Sequence, residues 1–197
     1  MRAAVLVSGG GTNLQALIDA RDDLGAELRV VVSNRADAFA LERACRAGIE
    51  AICLSHKDFT AREDFDRALR DLLLAREVSL VVLAGFMRVL TPVFLDAFPD
   101  RVVNVHPALL PAFPGVDAQA QALAYGAKLT GCTVHLVDAG VDTGPILAPA
   151  AVPVRDDDTV ETLRARILVE EHRLLPAAVR ALAAGRVTRE GRRVRVR

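Results

Sequence analysis

The sequence predicts an α/β protein built on an open, mostly parallel sheet with helices on both faces and antiparallel edge strands in its C-terminal part. Two observations carry this expectation. Short apolar runs of strand length alternate with longer amphipathic segments through the first 85 residues. The apolar runs also lack polar alternation, as strands do when helices cover both faces of a parallel sheet.

The elements follow in order. "AAVLVS" leads into "NLQALIDARDD", "LRVVVSN" into "AFALERACRAG", and "IEAICL" into "AREDFDRALRDLLLARE"; "LVVLAG" then completes a βαβαβαβ run. After Gly85 the regularity falters. "TPVFLDAFPD" reads as a short helix, "RVVNVH" as a fifth strand, and "PALLPAFPG" as a segment too rich in proline for helix or sheet interior. "TGCTVHLVD" alternates like a strand with one polar face, and the prolines of "PILAPAAVPV" make it an edge strand. A last helix opens in "DDDTVETL", capped by Asp158 or Thr159 with Glu161 or Thr162 one turn in, and runs to Gly185 as a terminating glycine. The basic tail "RVTREGRRVRVR" reads as a solvated hairpin turning at Glu190 and Gly191 rather than as a nucleic-acid arm. No repeat, linker or low-complexity tract divides residues 1–197, so one domain is expected.

Composition narrows the function classes. Twenty-five basic and 25 acidic side chains cancel, so no long-range attraction recruits nucleic acid or an anionic membrane. Aromatics make up 4% of the chain and tryptophan is absent, which leaves little for base stacking. Cys45, Cys53 and Cys132 lack the spacing of a disulfide framework or a zinc site. With no apolar stretch near the roughly 20 residues of a membrane span, and no signal-peptide pattern, a cytoplasmic protein without a metal is expected.

Two stretches carry chemistry. Gly9, Gly10 and Gly11 join the first strand to the first helix, and glycine's freedom at positive φ lets backbone N–H groups converge beside the helix N-terminus. This is an anion seat. A dinucleotide fingerprint needs a third glycine where Leu14 stands, and a Walker loop needs Gly-Lys-Ser/Thr, so a single phosphate fits best. The second stretch is "VVNVHPALLP". Asn104 and His106, two apart at the C-terminal end of a parallel strand, leave the same face where ligands of open α/β sheets bind. Asn donates to a developing oxyanion and His passes a proton near neutral pH, a pairing suited to acyl transfer. The loop in "HLVDAGVDTGPIL" brings a carboxylate, Asp138 or Asp142, toward His106, unless Asp138 only caps its own turn. No nucleophile is evident: Ser8 is outside G-x-S-x-G. Direct transfer between two bound substrates is therefore favoured.

Taken together, "VLVSGGGTNLQALID", "VSNRADAFALERA", "VVLAGFMRVLTP", "NVHPALLPAFPG", "TVHLVDAGVDTGPIL" and "EEHRLLP" resemble the phosphoribosylglycinamide formyltransferases, folate-dependent enzymes of de novo purine synthesis. The resemblance runs from Met1 to about Gly185. It implies a Rossmann-like fold, with a phosphate-binding N-terminal half and a catalytic and folate-binding C-terminal half. It further implies transfer of the formyl group of 10-formyltetrahydrofolate, a cosubstrate rather than a tightly bound cofactor, to the amine of 5-phosphoribosylglycinamide. By the same resemblance Gly11, Thr12 and Asn13 hold the ribose phosphate, and Glu171 contacts the ribose. Arg62, Met87, Arg88, Val89, Leu90 and Asn104 match folate positions. Asn104, His106 and Asp142 match the catalytic set, and His135 a neighbour of the site. The "LLP" turn implies a cis bond between Leu110 and Pro111. A monomer or weak homodimer acting on small molecules is expected.

One loop departs from the family. After "PAFPG" relatives commonly carry His and basic residues, where this chain has Asp117, Gln119 and Ala120, and Ala112 stands where Lys is frequent. Two other functions compete with transfer: hydrolysis of the formyl donor by the same machinery, and a folate- or phosphate-binding module in which His106 is structural.

Overall fold

The computed structural model describes residues 1–197. Seven strands form one sheet in the order β3-β2-β1-β4-β5-β6-β7. The parallel part comprises β1 (Arg2–Val7), β2 (Glu27–Ser33), β3 (Glu50–Cys53), β4 (Leu80–Leu83) and β5 (Val102–His106), while β6 (Leu129–Leu136) and β7 (Ile146–Pro153) add antiparallel to β5. The chain first builds outward from β1 through β2 to β3, then returns to set β4 on the other side of β1. That reversal opens a crevice beyond the C-terminal ends of β1 and β4, where an open sheet of this kind accepts ligands.

The uninterrupted apolar runs divide between two cores by strand parity. Ala3, Val5 and Val7 of β1 pack with Leu14, Leu17 and the apolar stripe of α6 (Val160–Ala183), which includes Ile167 and Leu175. Ala4 and Leu6 pack on the opposite face with Phe65, Leu69 and Leu73 of α3 (Arg62–Leu74) and with Phe94 of the short α4 (Pro92–Leu95). Each helix therefore buries one face against the sheet, and truncating a fully buried side chain such as Leu69 to Ala costs about 2–5 kcal/mol.

The remaining helices are α1 (Thr12–Asp19), α2 (Phe39–Arg46) and α5 (Ala118–Tyr125). α5 is absent from the sequence-based expectation because "AQAQALAY" has no marked apolar stripe; it starts after Asp117, whose φ is 55°. α6 begins in a capping box, with Thr159 accepting from the Thr162 N–H and Thr162 answering on the Thr159 N–H. It continues through Pro176, which has no hydrogen to give the carbonyl one turn back. The tail forms the expected hairpin of β8 (Val187–Glu190) and β9 (Arg193–Val196), a separate two-stranded sheet. Its Arg192 reaches back to donate to the Thr143 carbonyl at 2.8 Å. β7 is one edge of the sheet, opposite β3, and carries Pro149 and Pro153. No helix is long and apolar enough to cross a membrane.

Candidate active site

Antiparallel pairing sets Asn104 of β5 opposite His135 of β6, and His106 opposite Thr133. Val103 and Val105 enter the core on one face, so Asn104 and His106 emerge together on the other, as the spacing predicts. Thr133 accepts from the Leu110 N–H at 3.0 Å and donates to the Ala108 carbonyl at 2.7 Å. These bonds fix the segment after His106, where the Leu110–Pro111 bond is cis as expected.

Of the two candidate acids, Asp142 reaches the imidazole. Its Oδ2 lies 3.2 Å from His106 Nδ1 and accepts from the Gly115 N–H at 2.8 Å; its Oδ1 lies 3.6 Å from His135 Nε2. Burial works to raise the Asp142 pKa, but the His135 contact, the Gly115 N–H and the charge of His106 prevail and hold it below the usual carboxylate range. Asp138 caps its own turn, accepting from Gly140 N–H and the Thr143 hydroxyl. The loop that delivers Asp142 is tight: a Cβ on Gly144 would stand 1.7 Å from the Leu136 carbonyl oxygen. Asp142 itself has φ of 53°, a conformation that short polar side chains tolerate best and that recurs at functional sites.

His106 Nε2 donates to the Phe113 carbonyl at 2.8 Å. With that carbonyl on one ring nitrogen and a carboxylate on the other, an imidazolium satisfies both acceptors. Its Nδ1 edge is thus the one that meets Asp142. His135 donates from Nδ1 to the Leu136 carbonyl at 3.0 Å, and its Nε2 lies 3.1 Å from Asn104 Nδ2 and 3.6 Å from Asp142 Oδ1. Both roles considered for His135 are therefore present: it is bonded to the backbone and lies beside the site. The Asn104 amide N–H₂ group is turned to His135 and, at 3.5 Å, to Asp142. Neither partner carbonyl nor N–H on the 113–115 loop has a side-chain signature, which is why both contacts escape sequence reasoning.

At the end of β1 the glycine bend runs into α1. Only Gly11 adopts positive φ, 72°, and Gly9 and Gly10 do not, so one left-handed residue rather than three shapes the seat. The close approach of α2 accounts for the glycine: a Cβ on Gly11 would lie 2.6 Å from Ala40 Cβ and 2.9 Å from Ala40 Cα. No side chain caps α1, and its first N–H groups remain available beside exposed Thr12. Asn13 turns away from the helix to donate to Glu171 Oε2 of α6 at 2.6 Å. The two positions matched to the ribose and phosphate are thus brought together from opposite ends of the chain. Burial raises the Glu171 pKa, and the Asn13 hydrogen bond only partly offsets it.

The loop after β4 carries the remaining candidates. Met87 and Val89 are exposed, whereas Leu90 is buried and Arg88 lies 4.9 Å over the Phe65 ring. Burial and the nearby Arg62 both lower the Arg88 pKa, with Asp66 opposing. Only the outward half of this stretch is presented at the surface. Two buried side chains hold the loop: Ser8 accepts from the Met87 N–H at 2.9 Å, and Asp66 accepts from the Thr91 N–H at 2.6 Å. Asp66 leaves a trace in the sequence as an acid beside the apolar stripe of α3; Ser8 leaves none.

The formyl transferase family model matches residues 1–179. The chain belongs to this family. It is 51% identical over 97% of its length to the phosphoribosylglycinamide formyltransferase of Mycobacterium tuberculosis, of which it covers 89%. The glycinamide ribonucleotide transformylase 1 of Symbiobacterium toebii superposes with a TM-score of 0.97 at 54% identity, covering 100% of this chain and 93% of that one. The trifunctional purine biosynthetic protein adenosine-3 of Drosophila melanogaster is 49% identical over 93% of this chain. This formyl transferase chain spans only 14% of that relative's length. The resemblance drawn from the motifs is borne out, as is the Rossmann-like sheet.

Proposed function

We propose that this formyl transferase moves the formyl group of 10-formyltetrahydrofolate to the amine of 5-phosphoribosylglycinamide, giving the N-formyl product and tetrahydrofolate. The observation that carries the reading is the cluster of buried His106 and His135 with part-buried Asp142 and Asn104, beside a crevice flanked by an anion seat and an apolar-lipped loop. Gly11, Thr12 and Asn13 receive the phosphate, with Glu171 on the ribose. Met87, Val89 and the backbone through Leu90 line the pterin slot, with Arg62 toward a folate carboxylate.

The amine attacks the formyl carbon, and negative charge develops on the formyl oxygen. His106 as imidazolium stabilises that charge, joined by the Asn104 amide once it rotates from His135 and Asp142 toward the substrate. Asp142 holds the imidazolium and relays a proton, through water, from the attacking nitrogen to the departing folate nitrogen. The C–N bond to folate then breaks as the new amide is completed. Fixing both reactants in one crevice contributes up to roughly 7–11 kcal/mol in favourable intramolecular cases. The reaction needs no resident cofactor or metal, and the chain acts in the cytoplasm as one domain, a monomer or weak homodimer.

The test is formyl transfer by purified protein given both substrates, with donor consumption followed with and without phosphoribosylglycinamide. Acceptor-dependent consumption is expected. Equal consumption without the acceptor would make the protein a donor hydrolase, and no consumption in either case would leave it a binding module.

A further inference from the structure

Ser8 follows β1 directly and is buried, yet the chemistry above makes no use of it. Its hydroxyl accepts from the Met87 N–H at 2.9 Å and donates to Asn34 Oδ1 at 2.6 Å. Asn34, also buried, follows β2, and its Nδ2 lies 3.3 Å from His56 Nδ1 in the turn after β3. Since β3, β2, β1 and β4 are neighbours in that order, the row His56, Asn34, Ser8, Met87 crosses the C-terminal ends of four consecutive strands. Ser8 stands within this row, one residue before the glycine bend, and binds exposed Met87 of the loop after β4.

We propose that Ser8 is a positioning residue: through the Met87 N–H it sets the β4 loop against the glycine bend, so that the pterin slot is shaped before the donor arrives. This rests on assigning residues 87–90 to the donor. The Ser8 hydroxyl is suited to the task because it accepts and donates at once, and the bond it gives to Asn34 fixes the direction of the lone pair it offers to Met87. Alanine at this position strands both the Met87 N–H and Asn34 Oδ1 in a site with little water to replace the hydroxyl.

Two measurements on the full chain test the proposal. Amide hydrogen exchange on the unliganded protein reads the bond itself: Ser8→Ala accelerates exchange at Met87 by about tenfold or more, and unchanged exchange overturns the proposal whatever the enzyme's activity. Steady-state kinetics read the consequence. Ser8→Ala raises the donor KM about tenfold or more, the loss expected when buried polar groups are left stranded, while kcat and the acceptor KM change far less. Ser8→Thr, which keeps the hydroxyl, restores the donor KM. Asn34→Ala leaves Met87 its acceptor but frees the hydroxyl to rotate, and raises the donor KM by a smaller factor. An equal loss for both substrates, or no loss for either, overturns the positioning role. Should Ser8→Ala fail to fold, Asn34→Ala carries the kinetic readout, and an unchanged donor KM in that variant overturns the proposal. If wild-type protein transfers no formyl group while the exchange effect stands, the substrate assignment fails and the bond does not.

Discussion

The glycine bend and the β5–β6 corner lie at the same end of the sheet but are built in opposite ways. The bend offers backbone: one left-handed glycine, a helix N-terminus without a side-chain cap, and exposed Thr12. The corner offers side chains, the two histidines buried and Asn104 and Asp142 partly so, held by loops in which Phe113 and Asp142 adopt positive φ. A site that only has to hold a fixed charge can be made from N–H groups that any sequence supplies, provided the turn is right. A site that must exchange protons needs particular side chains, and their partners have to be brought from distant parts of the chain.

Breaking the corner gives the largest expected effect. His106→Ala should lower kcat by about 10²–10⁴, the usual worth of a positioned acid–base group, while acceptor affinity measured by titration stays within about twofold. Equal losses in both would mean the two regions are not separable. Asp142→Asn is next and subtler, since asparagine tolerates the left-handed backbone and still accepts from the Gly115 N–H. It removes the charge facing His106, and kcat should fall by about 10²-fold with little change in either KM.

The same variant tests a stability effect. Because the folded Asp142 pKa is depressed, its contribution is present above the ordinary aspartate pKa of about 3.9 and is lost as pH falls through the folded value. Thermal melting of Asp142→Asn should therefore converge on wild type in strong acid. A difference that persists there would place the effect in packing.

Breaking the bend should act on binding and folding instead. Gly11→Ala puts a side chain at φ of 72° and against Ala40, at a cost of about 1–3 kcal/mol. For a chain of this size each kcal/mol lowers Tm by about 2–4 °C. The variant should also raise the acceptor KM while leaving the donor KM nearly unchanged. The smallest effect sharpens the comparison from the opposite direction. Burial raises the Glu171 pKa, so stability falls as pH climbs from the ordinary glutamate value toward the folded one. Glu171→Gln should raise Tm slightly at pH 7–8, with no gain below about pH 4, while weakening the acceptor. A lower Tm at neutral pH would mean that the Asn13–Glu171 bond outweighs the burial of the charge.

The contrast also explains what was legible in the sequence. Strand runs, amphipathic helices and the Thr159 cap repeat a local period or motif, so they could be read in place. The bend was legible as a glycine turn opening a helix for the same reason, although Gly9 and Gly10 do not have the backbone assigned to them. His106 and Asn104 were legible because both lie on one short strand. The Asp142 partnership was narrowed to two acids by the residues and to one by family resemblance, since a 36-residue separation carries no local signal. The Phe113 and Gly115 contacts use main-chain atoms, which every residue possesses, and α5 has no stripe to mark it. Long-range placement and backbone partners were the hidden part in each case.

Pro149 and Pro153 share parity along β7, where imide nitrogens have no hydrogen to offer outward. A polypeptide approaching that edge meets gaps in the row of donors it needs in order to add as an eighth strand. At high concentration, or while the chain is still being made, this blunts the commonest route by which exposed sheets recruit one another into aggregates.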